Sequence, residues 1–452
     1  MPNDGRLKAD PFALAVVGLL FAEHLLFGAN RADLGLLFAV LHLLILAGLV
    51  AFTRGAQPPR LPLAWPGALL GVVFALGVIS VLPLGPPLAH PLWSYVPGSP
   101  ASISLDPAGT RLELIKLAGY AALFLVGAGF GARREGAERL AAYIVYGGIL
   151  YCAWAFMAWV TSPNAIFGVP RPYGTDRLAG SFLSVNTAGT LFASLAVMSL
   201  VALLRPFARA RSPGERRRLE DFTALWPQGL LLLLALPCLL LSASRGGLIS
   251  FVAATLISIG CLAWIKSSQR SLSGGFIAVV SLLLFASSVV FLVSGEHTAA
   301  RLGQIDPVNN DRLQLVAAYW PTVKASPWLG YGLGAFKSFN YISMTVQNGV
   351  LLAFLGAAHN VYLQWLLQMG APGALAMFGC VGAVLVATAR GAARRASQQT
   401  LAVSCLGVAA VFAVHGLVDY ALEAPSMAAF FSLILGLGYG IAERPAGGRS
   451  RR

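Results

Sequence analysis

Charge is scarce in this chain. Of its 452 residues only 11% are charged and 57% are apolar, with a mean hydropathy of +0.73. A soluble protein of this length carries about twice that charge fraction. Hydrophobic runs of about twenty residues recur along the whole length, each long enough to cross the hydrocarbon core as a helix, and no soluble domain fits between them. The first run, 11–28, has no small-residue cleavage site, so it reads as a membrane helix and not as a removable signal. The five cysteines (Cys152, Cys238, Cys261, Cys380 and Cys405) all fall inside apolar runs without metal-ligand spacing. They read as core fillers, not as a zinc site or a disulfide framework. No two aspartates stand as Asp-x-Asp, the usual metal–diphosphate handle, and there is no Walker loop, zinc signature or Gly-x-Ser-x-Gly elbow. The formal charge of +14 is dispersed over short loops, which fits membrane topology better than nucleic-acid binding.

What is there is a series of spans. We place them at 11–28, 33–52, 62–83, 111–131, 138–160, 183–204, 223–242, 246–265, 274–294, 371–389, 400–419 and 424–441. The expected fold is an all-α integral membrane protein of about twelve transmembrane helices. With a cytoplasmic N-terminus, 22 of the 32 lysines and arginines fall in cytoplasmic segments; the opposite orientation would invert that ratio, so the positive-inside rule puts both termini in the cytoplasm. Three long segments then lie outside, at Leu84–Thr110, Thr161–Phe182 and about Gly295–Gly370, which places the chemistry on that face. In the largest, the spacing of Leu313, Leu315, Val316, Tyr319, Trp320 and Val323 predicts a surface helix over Asp311–Ala325 with Asp311 as its N-cap. The alternating glycines of Gly330-Tyr331-Gly332-Leu333-Gly334 have the wrong spacing for a dinucleotide site and mark a tight turn where backbone approaches backbone or ligand.

Few residues carry candidate chemistry. Arg245, in Ser242-Ala243-Ser244-Arg245-Gly246-Gly247, occupies a very short outer turn between two apolar spans, where a guanidinium is costly unless an anion pairs with it; the alternative is an arginine snorkelling to headgroups. Arg177 lies just before the sixth span, with Arg171 as a competing candidate. His359 and Asn360 stand at a helix start, and Gly370 looks like that helix's stop. A helix N-terminus disfavours the imidazolium, leaving a neutral ring able to take a proton. His415, Asp419 and Glu423 recur every four residues, so we expect them on one helix face as structural or supporting groups. His24 and His42 read as packing or hydrogen-bonding residues, and Asp106, Arg111 and Glu113 as shaping the outer cavity.

Taken in order, Arg177…Gly180-Ser181-Phe182…Asn186, Ser244-Arg245-Gly246-Gly247, Pro327-Trp328-Leu329-Gly330-Tyr331-Gly332 and His359-Asn360-Val361-Tyr362-Leu363-Gln364…Gly370 resemble the O-antigen ligase and O-antigen polymerase superfamily. The resemblance is most specific over about 170–390, with 161–390 as the ligase-related core and 295–370 as its large periplasmic loop. It implies a multi-pass enzyme of the bacterial inner membrane whose site faces the periplasm. Such enzymes move a glycan from undecaprenyl diphosphate to an acceptor hydroxyl, without metal, nucleotide or other cofactor. By motif, Arg177 and Arg245 would stabilise the diphosphate and His359 would activate the acceptor, with inversion at the anomeric carbon. Asn360, Ser244, Arg171 and Asn186 are the candidate substrate-binding residues. The implied partners are the lipid-linked glycan, lipid A–core or a second glycan as acceptor, and membrane lipids. The segment Pro91-Leu92-Trp93…Ser102-Ile103-Ser104-Leu105-Asp106-Pro107 looks like segments of exopolysaccharide-cluster members, which keeps a repeat-unit polymerase as the alternative. A polysaccharide or lipid transporter would show related halves and a midplane charged site, and the sequence shows neither.

Overall fold

The computed structural model describes residues 10–52, 61–85, 88–99, 101–171, 177–208, 223–268, 311–394 and 398–444. Among them the chain is almost wholly helical. The long helices are α1 (Pro11–Leu25), α2 (Ala32–Phe52), α3 (Ala64–Ser80), α4 (Pro107–Gly131), α5 (Arg134–Thr161), α6 (Val185–Leu203), α7 (Trp226–Leu241) and α8 (Arg245–Ser268). After them come α9 (Asp311–Ala325), α10 (Phe336–Ser343), α11 (Val361–Arg394), α12 (Gln399–His415) and α13 (Pro425–Glu443). Eleven of the predicted spans coincide with one of these helices. Among the described residues seven helices are long and apolar enough to cross a membrane, while α1, α3, α7 and α12 are apolar but shorter. The predicted span 274–294 lies outside the described residues.

Caps fix the starts of these helices. Asp10 accepts from Phe12 N and Ala13 N to begin α1, Asp106 accepts from Gly109 N to begin α4, and Ser184 accepts from Asn186 N and Thr187 N to begin α6. The bundle is held by small residues where helices cross. Gly127 and Gly131 of α4 face the backbone of Leu433 and Leu437, and Gly436 and Gly440 of α13 face that of Phe124 and Ala128. Two reciprocal Gly-x-x-x-Gly steps let the backbones touch, so packing without a side chain between them ties α4 to α13. The arginine-rich end is latched by Arg444, which donates to the carbonyls of Gly131 and Ala132 and to Gln398 Oε1.

The opposite, loop-rich end has a small core of its own. Leu315, Tyr319, Val323, Tyr331, Phe336, Phe339 and Leu367 pack together, and Tyr319 OH donates to Asn340 Oδ1 at 2.5 Å. The helix over Asp311–Ala325 is as predicted, but its buried face is the narrower row 315, 319, 323. Leu313 and Trp320 of the expected stripe are exposed at 58% and 46%, because this helix covers a small loop core with one side only. The glycine-rich turn docks backbone to backbone: Tyr331 N and Gly332 N donate to the carbonyls of Leu367 and Gln368, and Ala371 N donates to that of Pro327. On its other side Leu105 N donates to Tyr331 O, and Thr110 Oγ1 to Leu333 O. Gly370 breaks α11, with φ 61° and ψ −175°, a region open essentially to glycine alone. Residues 361–369 are therefore a short helix of the loop-rich end, distinct from the span after the break. A two-residue hairpin, β1 (Ala165–Ile166) with β2 (Val169–Pro170), adds an element the sequence reading lacks.

One expectation changes here, and that for His24 and His42 holds. His415, Asp419 and Glu423 do not share a helix face. α12 ends at His415 with Gly416 as its C-cap, and Glu423 belongs to a separate 3₁₀ turn, Ala421–Glu423. His24 packs among Phe21, Tyr151, Phe182 and Phe430, whereas His42 Nε2 pairs with Glu23 Oε2 at 3.2 Å. The cysteines are all free, three of them buried.

Candidate functional site

The starts of α6, α8 and α11 meet around the turn after α12. Ser244, just before α8, accepts from Gly247 N and donates its hydroxyl to Asn186 Oδ1 at 3.1 Å. Asn186, in the first turn of α6, donates from Nδ2 to Asp419 Oδ1 at 3.5 Å. That same carboxylate oxygen lies 4.0 Å from His359 Nδ1. Asn360 caps α11 by accepting from Leu363 N, and its Nδ2 donates to Leu417 O. Val361 N donates to Gly416 O, so the start of α11 is bound to the turn carrying Asp419. Each helix start carries a partial positive charge, and three together make a setting for an anion.

His359 is in the left-handed region, at φ 52°, a conformation costly for a side chain with a Cβ. Its ring stacks edge-on against Tyr420, with centroids 4.6 Å apart and planes at 87°. Burial, then the positive charge of Arg312, lowers the imidazole to about 4. The ring is therefore neutral at pH 7, as the sequence reading requires, but for these reasons more than for a helix dipole. Asp419 is fully buried, and burial raises its carboxyl to about 6 against the opposing pull of Arg312. Facing Nδ1, this carboxylate favours the tautomer with the proton there, which leaves Nε2 as the acceptor.

The structure brings His359, Asn186 and Ser244 into one chain of contacts through Asp419. Arg245 is the first residue of α8, exposed and next to Ser244. Arg177 is half-buried beside the same turn, since Leu178 N donates to Leu241 O. Arg171 is used differently: its guanidinium donates to the carbonyls of Pro163 and Arg177, which pins the loop before α6. Asn360 likewise spends its side chain on the helix cap and on Leu417.

Arg312 is the residue that the sequence reading missed. Second in α9, it directs its charge onto His359, Asp419 and Tyr420. Its only signal was a basic residue opening an amphipathic helix, which reads as surface. Among the described residues no group of His, Cys, Asp and Glu could hold a metal ion.

Among curated proteins nothing matches the chain. A family model does, over a stretch that contains Ser244, Arg245, Arg312, His359 and Asn360 but neither Arg177 nor Asn186. Residues 230–378, about a third of the chain, match the model described as O-antigen ligase, which supports the resemblance to the O-antigen ligase superfamily.

Proposed function

We propose that this protein transfers a glycan from undecaprenyl diphosphate to an acceptor hydroxyl at the periplasmic face of the bacterial inner membrane, in the manner of an O-antigen ligase with lipid A–core as acceptor. The observation that carries this reading is a neutral histidine at a point where three helix starts and the charge of Arg312 converge. A diphosphate leaving group is polyanionic, and arginines grip it bidentately in the role a metal would otherwise fill. In this reading Arg245, Arg177 and Arg312 hold the diphosphate. His359 Nε2 takes the proton of the acceptor hydroxyl as its oxygen attacks the anomeric carbon opposite the leaving diphosphate, inverting the centre. The imidazolium so formed faces Asp419. Donor binding itself prepares the base, because an anion beside Arg312 offsets the charge that holds the imidazole low. Twelve spans with both termini cytoplasmic fit the basic-residue asymmetry.

A second reading, a repeat-unit polymerase, draws on the segment 91–107. Its Trp93 Nε1 donates to Ser104 O and its Leu105 N to Tyr331 O, so it is built onto the glycine-rich turn next to the site. Glycan analysis of a deletion strain separates the two. Loss of capped lipopolysaccharide with lipid-linked polymer accumulating identifies a ligase, and accumulation of single lipid-linked repeats identifies a polymerase. Unchanged glycans would sink both.

A further inference from the structure

A cavity of about 470 Å³ lies among α3, α4, α11, α12 and α13, a size common for small-molecule sites. Most of its wall is aliphatic and aromatic. Along α4 it runs from Glu113 to Leu125, about 18 Å of helix at 1.5 Å per residue, more than half of a hydrocarbon core about 30 Å thick. Those dimensions suit one extended hydrocarbon chain lying along the helices.

The polar groups of the wall gather toward the loop-rich end, and two of them are carboxylates. Glu113 forms an ion pair with Lys116. Glu423, on the 3₁₀ turn, has no side-chain hydrogen bond or ion pair among the described residues. Burial and the repulsion of Glu113 raise its carboxyl to about 7, with Lys116 pulling the other way. Two carboxylates against one lysine leave this end of the cavity short of positive charge. A diphosphate brought here would face like charge, whereas an ammonium would supply the missing partner of Glu423.

We propose that this cavity holds a membrane lipid by a hydrocarbon chain with a primary ammonium headgroup set against Glu423 and Glu113, that is, an aminophospholipid and not the diphosphate-linked donor. The bundle thus has two amphiphile sites of opposite sign, cationic at Arg312 beside the neutral His359 and acidic at Glu423.

Native mass spectrometry of the detergent-purified full chain tests this. Phosphatidylethanolamine, phosphatidylglycerol and farnesyl diphosphate are offered in turn at equal concentration. Phosphatidylethanolamine should be retained at least about tenfold more strongly than either anion, because the carboxylates that attract its ammonium repel a headgroup with none. Glu423→Gln should reduce that preference to about threefold or less. Gly67→Phe should abolish retention at an unchanged thermal midpoint, because Gly67 lines the cavity and an added Cβ there meets nothing within 4 Å. Equal retention of phosphatidylglycerol, or stronger retention of farnesyl diphosphate, would overturn the proposal. So would retention untouched by both substitutions. Should a variant fail to fold, the comparison of lipids on the native chain decides alone. Lipid retention needs no glycan transfer, so failure of the transferase reading leaves this result standing.

Discussion

Replacing Asp419 by asparagine keeps the size of the side chain and removes its charge. In the native protein Asp419 Oδ1 lies 4.0 Å from His359 Nδ1, so a proton arriving on the ring creates a charge that faces this carboxylate. Two unit charges at 4 Å attract by about 1 kcal/mol in bulk water and about 4 kcal/mol at an effective dielectric constant near 20. The His359 side chain is 25% exposed and Asp419 is fully buried, which places the pair between those limits. The transfer rate should therefore fall about ten- to hundredfold, at about 1.4 kcal/mol per decade. The pH dependence is more telling. Transfer needs Asp419 ionised and His359 neutral, and both conditions hold at high pH. As pH falls, the rate of the native protein should drop first through about 6, where Asp419 protonates, and again through about 4, where His359 charges. In the asparagine variant the inflection near 6 should vanish and the lower one should stay near 4, since Asp419 is already protonated at that pH and burial with Arg312 sets the histidine. Initial rates with lipid-linked donor and acceptor in vesicles between about pH 3 and 8 would show this. A variant within about twofold of the native rate, with the same acid limb, would refute a role for Asp419 behind the base.

Four further outcomes are expected. His359→Ala should lose about 10²–10⁴ in rate with donor binding kept, while Arg245→Lys keeps the charge but loses the planar fork and should be far from conservative; rates and donor affinities of the two variants check both, and near-normal product from His359→Ala would rule out the general base. Gly370→Ala should destabilise the protein by about 1–3 kcal/mol or more, because the residue would need a glycine-only conformation and its Cβ would meet the Trp328 carbonyl at 2.5 Å; a thermal midpoint equal to the native one would contradict this. Cysteines introduced at Arg216 and Gln347 should differ in intact spheroplasts, with only the second labelled by an impermeant reagent; the reverse pattern would invert the topology.

Much of the framework was legible because membrane helices announce themselves by length and apolarity, and eleven predicted spans coincide with helices. The glycine-rich turn was legible too, since the alternating Gly330, Gly332 and Gly334 have few uses other than close backbone approach. Arg312 was not legible. What makes it matter is the folding of α9 over the start of α11, a tertiary event with no local pattern. The four-residue recurrence of His415, Asp419 and Glu423 misled for a related reason: a period of four implies one helix face only while the helix continues, and Gly416 ends it. Released from a common face, Asp419 turns to His359 and Glu423 to the cavity. Tyr420, edge-on to the histidine ring, carried no signal at all.

The break at Gly370 has a mechanical consequence. A helix that crosses a bilayer adjusts its tilt when hydrocarbon thickness changes. Were α11 continuous, that tilt would carry His359 with it across the face of Asp419. Instead the segment 361–369 is fastened at both ends to neighbouring backbone, at Gly416 and at the turn of Tyr331 and Gly332, and the pivot lies below it. Thinning or thickening of the membrane is then taken up by the part of α11 beyond Gly370, and the spacing of the histidine and its carboxylate becomes insensitive to the lipid composition around the bundle.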